Sequence, residues 1–129
     1  MPDRKIVSIA GDGGFLFNVQ ELATAVKHGI AVTIVVLNDN AYGNVKRMQQ
    51  ENYGGRTIAS DLANPDFVAL AEAFGAVGLR AHTPEQLGRA IGASFETEDR
   101  PTLIEVPCGE FPSPWDLVLL PRQRGECRR

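Results

Sequence analysis

The sequence predicts one α/β domain, a mostly parallel sheet with helices on both faces. Three observations carry this. Strand-like and helix-like segments alternate along the 129 residues, the pattern of βαβ units. The run Val32-Thr33-Ile34-Val35-Val36-Leu37 is apolar at nearly every position, as a parallel strand covered on both faces requires. The segment joining it to the strand before it has room for a crossover helix, which puts both strand carboxyl ends at one edge of the sheet.

Taken in order, residues 5–10 predict a buried strand from their apolar, β-branched content. Gly11, Gly13 and Gly14 predict a turn. Asn18 stands where an N-cap belongs, with Glu21 three residues on to complete a capping box. Val19, Leu22, Ala23, Ala25 and Val26 then form a helical stripe, with Gly29 as its stop. A second strand covers 31–37 and a loop covers 38–43. A short amphipathic helix is expected around residues 44–51, with Val45 and Met48 facing inward.

Residues 52–64 are the least regular part. Pro65 suits the first position of a helix capped by Asn64, in which Phe67, Leu70, Ala71 and Phe74 share a face and Gly75 closes it. A short strand follows at 77–79. Thr83-Pro84-Glu85 opens another helix with Leu87, Ala90, Ile91 and Phe95 inside, and 102–106 is a last strand. Residues 1–110 are expected to form the domain. Residues 111–129, rich in proline and then arginine, are expected to be an irregular tail.

Composition bounds the partners. With 43% hydrophobic and 22% charged residues, the chain can bury a core as one domain. A net charge of −3 carries no nucleic-acid or anionic-membrane footprint. No apolar run is long enough to span a bilayer, and no signal peptide opens the chain, so a soluble cytoplasmic protein is expected. Cys108 and Cys127 are the two cysteines; they make no disulfide framework, in keeping with a reducing compartment.

The chemistry concentrates in two turns. Gly11-Asp12-Gly13 lies just past the first strand and Asn38-Asp39-Asn40 just past the second. Open α/β sheets bind ligands at that edge, so Asp12 and Asp39 are expected to converge beside glycine backbone. Two hard oxygen ligands next to exposed N–H groups describe a divalent cation bridging a phosphate-bearing ligand. The plainer reading of Asp12 is a turn aspartate bonding its own backbone. A nucleotide or flavin module would show G-x-G-x-x-G after its first strand, and Gly11-Asp12-Gly13-Gly14-Phe15-Leu16 lacks the last glycine.

The stretch GDGGFLFNVQELATAVKHGIAVTIVVLNDNAYG resembles the thiamine diphosphate motif, GDG paired with a distant NN turn. The resemblance is to the acetolactate synthase, benzoylformate decarboxylase and pyruvate decarboxylase group. It continues through PDFVALAEAFGA and PTLIEVP and covers roughly residues 5–107. It implies the thiamine diphosphate (TPP)-binding fold, specifically the C-terminal TPP-binding domain, with TPP and Mg2+ as cofactors. It implies Asp12, Asp39 and the Ala41 carbonyl as metal ligands. Gly11, Gly13, Gly14, Tyr42 and Gly43 join these three as cofactor-binding residues, and Asn44 and Val45 fall on the substrate side.

Two positions depart from the family pattern. Asp39 stands where the second Asn of NN is usual, adding a negative charge near a polyanion. Gly14 stands where many members carry serine, so contact there must come from the main chain. The ligand register also stays open: Asn38 or Asn40 is the alternative, with Asp39 then facing solvent. Tyr42 either covers the diphosphate or is a core tyrosine. Glu21 is read as a cap, and His28, His82, Lys46 and Arg47 as surface residues.

The resemblance further implies a fragment or subunit of a TPP-dependent lyase or transferase acting on 2-oxo acids. The family's activating glutamate lies in a pyrimidine-binding domain that this chain lacks, so no catalytic residue is assigned and the chain alone is expected to be inactive. Its partners are TPP, the missing domain or subunit, and further copies of itself in a homo-oligomer. The reading from another class is a non-catalytic assembly or regulatory domain that keeps the fold.

Overall fold

The computed structural model describes residues 4–112. In chain order the elements are β1 (Ile6–Gly11), α1 (Asp12–Leu16), α2 (Glu21–Lys27), β2 (Val32–Asn38), α3 (Gly43–Asn52), α4 (Phe67–Ala73), β3 (Val77–Arg80), α5 (Pro84–Ser94) and β4 (Thr102–Pro107). The four strands form one sheet in the order β1-β2-β4-β3, and every pairing is parallel. The expected α/β architecture is therefore the observed one. The irregular tail expected over 111–129 lies, from residue 113 onward, outside the described residues.

Side chains alternate across the sheet and build a core on each face. Val36 and Leu103 face Phe15, Leu22, Phe67 and Ala71, so α1, α2 and α4 cover one side. The rings of Phe15 and Phe67 meet edge-on there, 5.9 Å between centroids. Val35 and Ile104 face the other side, where Leu87, Ala90 and Ile91 of α5 pack. Gly78 marks a close helix–strand approach: a Cβ there would come within 2.7 Å of the Val68 carbonyl oxygen.

Several local expectations fail, each for a physical reason. No single crossover helix begins after Asn18. Gly13 and Gly14 lie inside α1, and turns bonded from Asn18 N–H to the Phe15 carbonyl and from Glu21 N–H to the Asn18 carbonyl carry the chain into α2. These i→i+3 bonds satisfy the first amide groups, and α2 has no side-chain cap from Asn18 or Glu21. Gly29 does end α2, with φ of +60°. Helix α4 begins at Phe67 and is capped by Asp66, whose Oδ1 accepts from the Val68 and Ala69 N–H groups at 2.9 and 3.1 Å. Asn64 is not a cap. Thr83 caps α5 as expected, accepting from the Gln86 N–H, with Pro84 in the first turn.

Burial also departs from expectation at two places. Strand β1 is an edge strand, and Ile6 and Ile9 are 50% and 70% exposed; apolar content alone does not reveal which strands lie outermost. Helix α3 buries none of its residues. Val45 and Met48, expected inward, are half exposed. They border an open groove of about 780 Å³ shared with Tyr53 and Ile58. Among the described residues no helix is long and apolar enough to cross a membrane.

Candidate functional site

Register places the two turns side by side. Gly11, the last residue of β1, pairs with Leu37, so Asp12 and Asn38-Asp39 leave the sheet together. A cleft of about 360 Å³ opens there, bordered by Gly11, Asp12, Asp39, Ala41, Gly43 and Asn44. An adjoining cleft of about 230 Å³ adds Gly13, Gly14, Tyr42 and Val45. All ten residues singled out from the sequence thus line two contiguous hollows at the strand ends.

Asp12 is 2% exposed. Its Oδ1 accepts the Gly13 N–H at 2.8 Å, so the plain turn reading is correct for one carboxylate oxygen and leaves the other for a separate task. That other oxygen, Oδ2, accepts from Asn64 Nδ2 at 2.5 Å. Asp39 Oδ1 accepts the Ala41 N–H at 3.1 Å. Its Oδ2 lies where a Cβ on Gly43 would meet it at 2.6 Å, so position 43 admits only glycine while that carboxylate is in place.

The neighbours of Asp39 point elsewhere. Asn38 is 8% exposed. It donates from Nδ2 to Glu105 Oε1 at 2.8 Å and accepts at Oδ1 from Asn64 Nδ2 at 2.9 Å. Asn40 is exposed with φ of +57°, and lines neither cleft. Asp39 is thus the member of the NDN turn that borders the cleft.

Residues outside the two turns complete the site, and sequence reading missed them. The Tyr42 N–H bonds the Ser60 carbonyl and the Leu62 N–H bonds the Asn40 carbonyl, both at 2.8 Å. Segment 60–64 is thereby laced across the second turn, although it carries no regular pattern. Behind the turns runs a polar chain. Arg80 Nε donates to Glu105 Oε2 at 2.7 Å and Arg80 Nη2 to Asp66 Oδ1 at 2.8 Å. Glu105 is 4% exposed, and a buried carboxylate needs such partners. The hydrogen bond to Glu105, then that to Asp66, raises the Arg80 guanidinium above its ordinary range. The only signal for this chain was Glu105, a charge inside an apolar strand.

Lys46 and Arg47, read as a solvated face, divide. Lys46 pairs with Asp61 at 2.6 Å, while Arg47 borders the cleft and donates to the Phe111 carbonyl. Cys108 also reports on the site: burial first, then the charges of Asp39 and Asp12, push its thiol above the ordinary value. Among the described residues no three His, Cys, Asp or Glu side chains converge as a self-sufficient metal cage.

The site and fold together define a class, an open parallel α/β domain with an acidic, glycine-lined cleft at its strand ends, where such sheets hold ligands. Comparison with known proteins narrows the class. Residues 1–106 match the thiamine pyrophosphate enzyme C-terminal TPP-binding domain, and the chain belongs to that family. It is 43% identical over 106 residues to an acetolactate synthase of Bacillus subtilis, covering 82% of this chain and 18% of that one. It is 42% identical over 108 residues to the acetolactate synthase large subunit of Parasynechococcus marenigrum, with 82% and 17% covered. Among solved structures, a thiamine diphosphate-dependent 4-hydroxybenzoylformate decarboxylase of Rhodococcus jostii RHA1 superposes with a TM-score of 0.78 at 33% identity. That match covers 87% of this chain and 21% of that one. The chain spans about a fifth of the length of these relatives.

Proposed function

We propose that the chain anchors the diphosphate of TPP through Mg2+, as one part of an acetolactate synthase-like 2-oxo-acid decarboxylase or carboligase. The observation that carries this reading is the meeting of Asp12, Asp39 and Ala41 in one cleft with Gly11 and Gly43. The donor set suits the group. Two carboxylates and a main-chain carbonyl are hard oxygen ligands, and Mg2+ completes its octahedron with phosphate oxygens and water.

The glycines support the same reading. A Cβ on Gly11 or Gly14 would meet nothing within 4 Å, so a ligand can come directly against the backbone there. Tyr42, stacked on Phe17 with ring centroids 6.3 Å apart, walls the second cleft beside Gly13. Asn44 and Val45, at the start of α3, are the substrate-side positions. Asp39 in place of the family's asparagine adds repulsion toward the diphosphate, on the order of 3 kcal/mol at about 5 Å before the metal screens it. Its stronger pull on Mg2+ offsets part of that.

When bound, TPP would supply the chemistry of 2-oxo-acid decarboxylation, with Asp12, Asp39 and the Ala41 carbonyl holding its diphosphate through the metal. The chain's own residues bind and orient; none is assigned a proton-transfer role. The pyrimidine end of the cofactor requires a further domain or subunit. The open edge of β1 and the unburied face of α3 suit such a partner or a second copy of the chain, in the cytoplasm.

Titration calorimetry of the chain with TPP tests the proposal. Binding that requires Mg2+, with no turnover of pyruvate or benzoylformate above the rate of free cofactor, is the expected result. No binding at millimolar TPP with Mg2+ favours a non-catalytic domain that keeps the fold.

A further inference from the structure

The side chain of Asn64 does more than its place in an irregular segment requires. Its Nδ2 lies 2.5 Å from Asp12 Oδ2 and 2.9 Å from Asn38 Oδ1. An ionised carboxylate and an amide oxygen only accept. The atom between them must therefore be the donating nitrogen, and the amide orientation is fixed by chemistry. Each of its two hydrogens goes to one of the two acceptors. Asn64 Oδ1 is left buried without a partner among the described residues.

The consequence falls on Asp12. With Gly13 N–H on Oδ1 at 2.8 Å and Asn64 on Oδ2, each carboxylate oxygen carries one hydrogen bond and keeps lone-pair capacity for a cation. Asn38 cannot swing away from the shared hydrogen bond, because Glu105 holds its Nδ2 and Arg80 holds Glu105. Arg80 in turn is tied to Asp66, two residues beyond Asn64 on the same strap. Without the Asn64 N–H groups, Asp12 Oδ2 has no donor, and the carboxylate is held by the Gly13 N–H on Oδ1 alone, while Asn38 Oδ1 keeps only the longer bond from the Asn40 N–H.

We propose that Asn64 is the positioning residue of the metal site, fixing the orientation of the Asp12 carboxylate that would hold the cation. This rests on the function proposed above. Asn64 acts through Asp12, and outer-shell partners of this kind change metal affinity by about 10–100-fold when removed. The unpaired Oδ1 raises the rival role of direct ligand, which a carboxylate at position 64 would strengthen.

The test uses the full chain, 15N-labelled, with Mn2+ as the metal and TPP at fixed millimolar concentration. Paramagnetic broadening of the Asp12–Gly14 and Asp39–Gly43 amide signals is followed against Mn2+ concentration, and the thermal midpoint is measured in parallel. Asn64→Ala removes both donors; Asn64→Asp keeps the shape but replaces the donating group with an acceptor. Both variants are expected to need about 10–100-fold more Mn2+ for half-broadening, with midpoints close to wild type.

Unchanged Mn2+ dependence in both variants overturns the proposal while the binding reading stands. Tighter Mn2+ binding by Asn64→Asp makes position 64 a direct ligand and also overturns it. Unfolding of both variants makes Asn64 a residue of the fold alone. Absence of broadening in the wild type removes the metal–cofactor reading, and this inference with it.

Discussion

Replacing Gly13 with alanine probes the packing of the first turn against the second. A Cβ at Gly13 would lie 2.8 Å from Tyr42 Cδ1, closer still to Cε1, and 3.1 Å from Leu62 Cδ1. Carbon atoms in contact prefer about 3.5–4.0 Å, so the Tyr42 ring must move. That ring stacks on Phe17, and its own backbone is tied to Ser60. Overpacking of this kind costs about 1–3 kcal/mol. Gly13 lies within α1 and has no positive φ, so alanine also recovers about 0.5–1 kcal/mol of helix propensity. The net expectation is destabilisation of up to about 2 kcal/mol. In a Tyr42→Ala background the ring is gone, only the tip of Leu62 remains close, and Gly13→Ala becomes neutral or stabilising. Urea unfolding of the four proteins gives a coupling of about 1–3 kcal/mol between the two positions. Equal penalties in both backgrounds would refute the contact between the turns.

Position 14 is the counterpart with open space. Gly14→Ser is expected to leave the urea midpoint unchanged or slightly raised, because its Cβ meets nothing within 4 Å. The added hydroxyl contributes a donor to the cleft and tightens Mg2+–TPP binding by about 2–10-fold in calorimetry; weaker binding would contradict the orientation of the first turn. Asp66 carries an acid-dependent share of stability. The Ala69 N–H, then Arg80, holds its carboxyl below the ordinary value. That contribution is present above the unfolded value, near 3.8, and is lost as pH falls through the folded one. Asp66→Asn should therefore flatten the loss of stability as pH falls below about 5, measured by thermal midpoint against pH; parallel curves would count against the cap. The Cys108 thiol, raised by burial and then by Asp39 and Asp12, should alkylate more slowly than a free thiol at pH 8. Peptide-resolved mass spectrometry measures this, and a rate equal to that of glutathione contradicts it.

The sheet was legible because parallel strands announce themselves. The apolar run 32–37 and the alternation of elements required both turns to leave at one edge, and register delivers that through Gly11 and Leu37. Tertiary choices made against local rules were not legible. Asn64-Pro65-Asp66 offers two capping residues, and the local rule favours the asparagine before proline. The fold assigns the cap to Asp66 because Asn64 is engaged by Asp12. The NDN turn likewise presents three polar side chains in a row. Only packing turns Asn38 toward the buried Glu105 and leaves Asp39 on the cleft. Exposure of β1 and α3 depends on strand order and on what covers each face, and a pattern of apolar residues does not encode it. Arg80 pairs with Glu105 because β3 and β4 are adjacent, and Arg80 and Glu105 stand opposite each other in the register.

The most direct measurement is a crystal structure of the chain with Mn2+ and TPP, with anomalous scattering used to locate the metal. The account predicts one peak at about 2.0–2.2 Å from oxygens of Asp12, Asp39 and the Ala41 carbonyl, with the diphosphate over Gly13 and Gly14. A metal ligated by Asn38 or Asn40, or a diphosphate bound with no metal at Asp12, would contradict it.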